Sequence, residues 1–324
     1  MPVSTGNTPA VPPQRSRALA GAQFDGAPRL LRLQAGELRL DVVPAIGGSI
    51  AGLFSVRGAR DHHWLRPATP AALASGNPLG MASFPLVPWC NRIRNGRSDF
   101  GSRPIRLAPN YSDSPHTLHG TGWQRPWQVA STLAGEAHLV LAQPAGEWPY
   151  GFVAEQRYRL HDDGLEVTLG VRNTDTVPMP LGLGHHPYLP HRAGTRLTVD
   201  VERMWAGDDE VMPTGLVTPP FLDQMRRGIA LAELDLDNNF TGWTRRATVD
   251  WPRERMRLTL EAHPPLDFFV LYCPRVYDFF CIEPVSNCTD WINLQDHPSG
   301  ERGGTLLAPG QSLAVRFELR LQWT

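Results

Sequence analysis

Glycine and proline punctuate the chain from end to end, 30 of one and 31 of the other in 324 residues. A long helix tolerates neither in its interior, whereas short strands joined by turns absorb both. The apolar residues follow the same division. Runs that alternate with period two, or are rich in β-branched and aromatic side chains, recur over 30–33, 38–43, 49–54, 127–132, 138–141, 153–160 and 165–171. They continue over 197–201, 247–251, 256–262, 268–272, 279–283 and 313–323, and only 221–233 carries a helical pattern. No repeat of fixed period and no linker-like shift in composition interrupts the series. The expected class is all-β, one large antiparallel β-sandwich over 24–324. Residues 1–23, rich in Pro, Ser, Thr and Ala, read as a disordered lead without the basic and apolar regions of a secretory signal.

Charge and cysteine usage narrow the chemistry. Basic and acidic residues balance at 31 and 32, so the chain offers no field for gathering phosphate backbones, and nucleic acid is not expected as a partner. Every basic residue in that count is arginine, since lysine is absent. That excludes Schiff-base aldolases, pyridoxal enzymes and the Walker A phosphate loop. No apolar run approaches the ~20 residues that cross a bilayer, so no membrane association is expected. Cys90, Cys273, Cys281 and Cys288 form neither a C-x-x-C pair nor a zinc-ribbon spacing, and they read as reduced thiols of a cytoplasmic protein. The sequons at Asn110, Asn239 and Asn287 then carry no weight.

Four segments concentrate the side chains capable of chemistry. In Leu181-Gly-Leu-Gly-His-His-Pro-Tyr188, strand alternation puts Gly182, Gly184 and His186 on one face and His185 on the other. The two glycines would leave open backbone beside the His186 imidazole, although a histidine over a close-packed bend fits the same pattern. Pro115-His-Thr-Leu-His-Gly120 sets His116 and His119 three residues apart without the further ligands of a metal site. In Phe279-Phe-Cys-Ile-Glu-Pro284, Glu283 is a lone carboxylate among apolar neighbours, where burial would raise its pKa into the range of a general base; a strand-end carboxylate reaching solvent is the alternative. Asn91-Arg-Ile-Arg-Asn-Gly96 and Leu236-Asp-Asn-Asn-Phe-Thr-Gly242 supply paired donors and acceptors suited to polyols or, equally, to surface ion pairs. Phe84, Trp89, Trp123, Tyr188 and Trp243 lie near these segments as stacking rings or as core.

Taken in order, these segments resemble the aldose 1-epimerase (galactose mutarotase) family. The matches are Asn91-Arg92-Ile93 with Gly96; Leu118-His119-Gly120; His186-Pro187-Tyr188; Leu236-Asp237 leading to Phe240-Thr241-Gly242; and Glu283-Pro284 followed by Asp290 and Asn293. They extend from about Gly47 to the C-terminus. The resemblance implies a mutarotase-like supersandwich with an open groove, no cofactor, no metal, a monosaccharide substrate and a monomer or weak homodimer. It implies that Glu283 takes the anomeric hydroxyl proton, that His186 protonates the ring oxygen with help from His119, and that Asn91, Arg92, Asp237 and Tyr188 bind the sugar. The chain departs from the family at His185, where Asn is usual, at Leu189 in place of Phe, and at 272–275, where the usual glutamine is not apparent. Competing expectations are a hexose-6-phosphate 1-epimerase gathering Arg94, Arg97 and Arg275 around a dianion, a non-catalytic carbohydrate-binding protein, and a metal-dependent sugar isomerase.

Overall fold

The computed structural model describes residues 28–111 and 114–324; the expected lead over 1–23 lies outside them. Every strand pairing within the sheets is antiparallel, and three sheets carry the architecture. The large sheet has nine strands in the spatial order 128–133, 136–143, 152–161, 164–173, 312–323, 256–262, 246–251, 196–199 and 229–230. A second sheet of eight strands runs 213–217, 203–207, 236–241, 268–273, 279–285, 184–185 and 85–86, with 188–190 also pairing to 279–285. Four N-terminal strands, 31–35, 38–43, 49–57 and 60–63, form a meander of their own.

The large sheet reads as the period-two pattern requires. Along Phe152–His161, Phe152, Ala154, Gln156, Tyr158 and Leu160 are buried while their neighbours are not. Leu319 and Phe317 supply the same inward face from Ser312–Trp323. By contrast Phe279–Val285 is buried at all seven positions, because it is central in the second sheet and covered on both faces. The two sheets meet through His185 against Phe317, ring centroids 5.5 Å apart, and through Trp251, whose indole N–H donates to the Pro190 carbonyl at 2.9 Å. Truncating a side chain in this layer, such as Leu319, would cost about 2–5 kcal/mol through lost transfer energy and an unfilled cavity.

Two expectations need correction. The helical pattern at 221–233 is α-helix only over Phe221–Arg227, with a separate 3₁₀ turn at Leu231–Glu233. Gly228, at φ 94°, breaks it, and Ile229–Ala230 then pairs with Arg196 and Leu197 at the sheet edge. A short helix at Pro70–Ser75, capped by Thr69 accepting from the Ala72 amide and opened by Pro70, was not anticipated. The acidic segment Leu236–Thr241 proves to be a strand, with Asp237 opposite Tyr272.

Candidate active site

Antiparallel pairing brings the site residues of the second sheet together. Gly184 pairs with Val285 and with Leu86, and Tyr188 pairs with Cys281. His186 is thereby set beside Glu283, with imidazole Nε2 3.2 Å from carboxyl Oε1. Both side chains are buried, and His186 Nδ1 and Glu283 Oε2 have no hydrogen-bond partner. Paired polar atoms are the rule in protein interiors, so two orphans on one contacting acid/base pair mark a place where further donors and acceptors would be accommodated.

His119 reaches the same point from a strained turn. It and Asn91 both adopt left-handed backbone, at φ 61° and 60°, a conformation that costs a non-glycine residue about 1–3 kcal/mol. Reciprocal bonds offset that cost: His119 N–H donates to Asn91 O at 2.9 Å and Asn91 N–H donates to His119 Nδ1 at 3.2 Å. Because Nδ1 accepts, the neutral ring carries its hydrogen on Nε2, and His119 is a donor. Its ring stands perpendicular to His186, centroids 5.1 Å apart. Gly120 is required after it, since a Cβ there would meet the Val87 carbonyl oxygen at 2.0 Å.

Arg92 and Asp237 face each other, Nη2 to Oδ2 3.4 Å, and are less buried than His186 and Glu283. Asn91 Oδ1 accepts from the Arg92 amide at 2.9 Å and from its Nη1 at 3.2 Å, so Asn91 orients Arg92 as well as His119. Asp290 steadies the next turn by accepting from the Arg94 amide at 3.0 Å and from Asn293 at 2.7 Å. Tyr188 lies under the His186 ring, stacked at 4.6 Å, and its opposite face is covered by the Arg66 guanidinium at 3.8 Å. With both faces occupied, any contact between Tyr188 and a ligand would be made through its hydroxyl edge.

Electrostatics follow from burial. Desolvation pushes the Glu283 carboxyl well up; Asp237 adds to the rise and Arg92 opposes it. Desolvation drives His186 down to about 3, with Arg66 and His185 contributing in the same direction. His119 is likewise held well below an ordinary imidazole, first by burial and then by His186 and Arg92. Burial thus favours the uncharged form of each partner, protonated carboxyl and neutral imidazole, over carboxylate and imidazolium.

Other expected features are placed elsewhere. His116 does not converge with His119: its Nδ1 accepts from the Asn95 amide at 3.0 Å and its Nε2 lies 3.3 Å from Glu210. Gly182 and Gly184 leave no room for a ligand, because a Cβ at Gly182 would meet Asn287 Oδ1 at 1.9 Å and one at Gly184 would meet Val285 Cγ1 at 2.7 Å. These glycines serve close packing of backbone against its neighbours. Arg94 faces Asp290 and Asp208 at 3.6 and 3.9 Å, while Arg275 donates to the Glu233 and Leu234 carbonyls. Among the described residues no group of three or more His, Cys, Asp or Glu could hold a metal ion. Asn239 and Asn287 are buried, so their sequons are closed to modification in the folded chain. Sequence reasoning missed Arg66 and the buried partners of His185, none of which sits in a motif.

Comparison with known proteins agrees with this geometry. The family model for aldose 1-epimerase matches residues 29–320. YphB of Escherichia coli K12, itself uncharacterised, is 31% identical over 305 residues, covering 90% of this chain and 98% of that protein. An aldose 1-epimerase candidate from Escherichia coli K12 has a crystal structure similar at TM-score 0.81 and 30% identity, over 91% of this chain and 99% of that one. A galactose mutarotase-like protein from Clostridium acetobutylicum shares the fold at TM-score 0.80 and 19% identity, over 91% and 95% of the two chains.

Proposed function

The chain belongs to the aldose 1-epimerase family, and from that premise we propose that it interconverts the α and β anomers of a free aldose by acid/base ring opening. The observation that carries this reading is the buried His186–Glu283 pair, 3.2 Å apart, with each partner keeping one polar atom unpaired. A hemiacetal presents its ring oxygen and its anomeric hydroxyl on a single carbon, so an acid and a base that serve both must stand side by side. A protein that only bound sugar would gain nothing from burying that pair.

In the proposed cycle Glu283 takes the proton of the anomeric hydroxyl while His186 gives one to the ring oxygen. The bond between C1 and the ring oxygen breaks, C1 becomes a carbonyl carbon, and rotation about C1–C2 exposes its other face. Closure returns the ring-hydroxyl proton to His186 and the Glu283 proton to the anomeric oxygen, so both groups finish as they began. These roles need carboxylate and imidazolium, the charged arrangement of the shared proton, and the contact between the two side chains is the path to it. The Arg92 cation and a sugar hydroxyl donating to Glu283 favour that arrangement. His119, whose hydrogen sits on Nε2, donates to the ring oxygen as the bond breaks in this cycle, and Arg92 and Asp237 suit sugar hydroxyls.

Saturation-transfer NMR of anomer exchange over a panel of free and 6-phosphorylated aldoses tests the reading. Acceleration of at least one free sugar without added metal is expected. Acceleration of phosphorylated sugars alone would favour the phosphate-specific alternative, and binding without acceleration would favour a lectin-like role.

A further inference from the structure

His186 sits in a pile of flat groups. Its ring packs on Phe84 at 4.7 Å and 28°, and Phe84 packs in turn on Trp123 at 5.2 Å and 27°. The imidazole also packs on Tyr188 at 4.6 Å and 25°, and Tyr188 in turn lies 6.0 Å from Phe84. The pile ends on a cation: the Arg66 guanidinium lies 3.8 Å from the Tyr188 centroid and 4.4 Å from that of Phe279.

Arg66 is held there by backbone. Its own amide donates to the Tyr188 carbonyl at 2.8 Å, and Nη2 donates to the Leu79 and Met81 carbonyls, each at 2.8 Å. Among the described residues no carboxylate pairs with it, and its Nε is buried without a partner. A half-buried guanidinium lacking a counter-ion is costly as a mere filler, whereas a planar cation over an aromatic face is a favourable and orienting contact.

We propose that Arg66 is a positioning residue for the epimerase reaction, clamping Tyr188 so that the His186 ring is held in the plane that directs Nε2 at Glu283 and the ring oxygen. The inference rests on the acid role proposed for His186. Tyr188, clamped in this way, and Phe84, 6.0 Å from it, are the two stacked neighbours of the imidazole and together resist its tilting away from Glu283. The charged and titratable groups facing it are Glu283 from strand 279–285, His119 from the turn after 117–118, Tyr188, and Arg66 behind Tyr188; His185 points to the opposite side. Arg66 adds one positive charge to this set, which makes the imidazolium a readier proton donor.

Arg66→Met and Arg66→Lys in the full chain separate the plane from the charge. Loss of both in Arg66→Met should lower kcat about tenfold while KM changes by less than about twofold, the pattern of a misaligned group rather than a lost binding contact. Both limbs of its pH–rate profile should move upward by about half a pH unit, since a nearby cation no longer opposes protonation. Arg66→Lys should lose rate with the limbs near their original position.

A readout independent of turnover is the His186 ¹H–¹³Cε1 resonance, assigned by its loss in His186→Asn; Arg66→Met should displace it. If the unaltered protein accelerates no aldose, the functional reading fails, yet the resonance still reports on the clamp. Wild-type kcat, limbs and resonance in folded Arg66→Met overturn the proposal. Should that variant not fold, wild-type kcat and resonance in Arg66→Lys overturn it equally.

Discussion

His185 and His186 are neighbours in the chain and face opposite regions of the molecule. On the inner side, between the two sheets, His185 Nδ1 lies 2.5 Å from Ser83 Oγ and its Nε2 3.3 Å from Gln156 Oε1. Tyr158 Oη lies 2.7 Å from the same Gln156 oxygen and 2.7 Å from Gly48 O, with one hydroxyl hydrogen to donate between them. This buried network pairs both nitrogens of His185. In front, His186 has one nitrogen on Glu283 and the other on nothing, and the carboxylate likewise keeps an orphan oxygen. Both imidazoles are held near 3 by burial, so a perturbed pKa does not distinguish them. Completeness of hydrogen bonding does: the inner region uses its polar atoms to hold the sheets together, and the His186–Glu283 site keeps some unpaired.

That contrast predicts unequal consequences. The largest is catalytic: Glu283→Gln and His186→Asn should each lower kcat for anomer exchange by about 10²–10⁴-fold with sugar still bound. Because one proton serves both, the double variant should lose far less than the product of the single losses. Near-normal turnover by Glu283→Gln would remove the distinction between the two regions.

Next in size is the pH–rate profile, which should be a bell. The pair must hold one proton: a second stops the base on the acid side, and loss of the only one stops the acid on the alkaline side. A flat rate from pH 5 to 9 would break the acid/base reading even if both residues proved essential to binding.

The inner region should instead answer in stability. His185→Asn is expected to cost about 1–3 kcal/mol in urea unfolding, through partners left unpaired, with kcat changed by less than about tenfold. The sign of its pH dependence is fixed. The unfolded chain protonates this histidine near pH 6.5, while the folded chain holds it neutral down to about 3. Its contribution is therefore penalised as pH falls below 6.5 and is unaffected above. The stability gap between wild type and variant should narrow by about 1–2 kcal/mol from pH 7 to pH 5. A gap independent of pH would mean that His185 is not buried neutral.

The smallest effect belongs to neither region. Glu37→Gln, which removes the exposed partner of Arg57 at 2.7 Å, should stay within about 0.5 kcal/mol of wild type and calibrates the others.

Much of this was legible in one dimension. The thirteen period-two or β-rich runs each fall on a strand, because alternation over consecutive residues is itself the signature of a half-buried strand. Histidine alternation placed His185 and His186 on opposite faces for the same reason, and a lone carboxylate in an apolar strand was enough to expect a raised Glu283 pKa. The misses share a cause. The helix at 221–233 was overextended because its apolar spacing continues past Gly228, where only pairing with Arg196 and Leu197 turns the chain into a sheet edge. The two glycines beside His186 suggested open space, and it is Asn287 and Val285, about a hundred residues on, that fill it.

What the sequence determined by itself, then, was the class of fold, the alternation of each strand and the kinds of side chain available to the groove, all of them properties of consecutive residues. Tertiary structure alone decided that His186 touches Glu283, that His119 is locked to Asn91, and that Arg66 ends the stack beneath the imidazole. Those contacts join residues 28 to 122 positions apart through strand register and ring packing. Neighbours along the chain carry no trace of such pairings, since loop closure between distant segments depends on the whole sheet having formed.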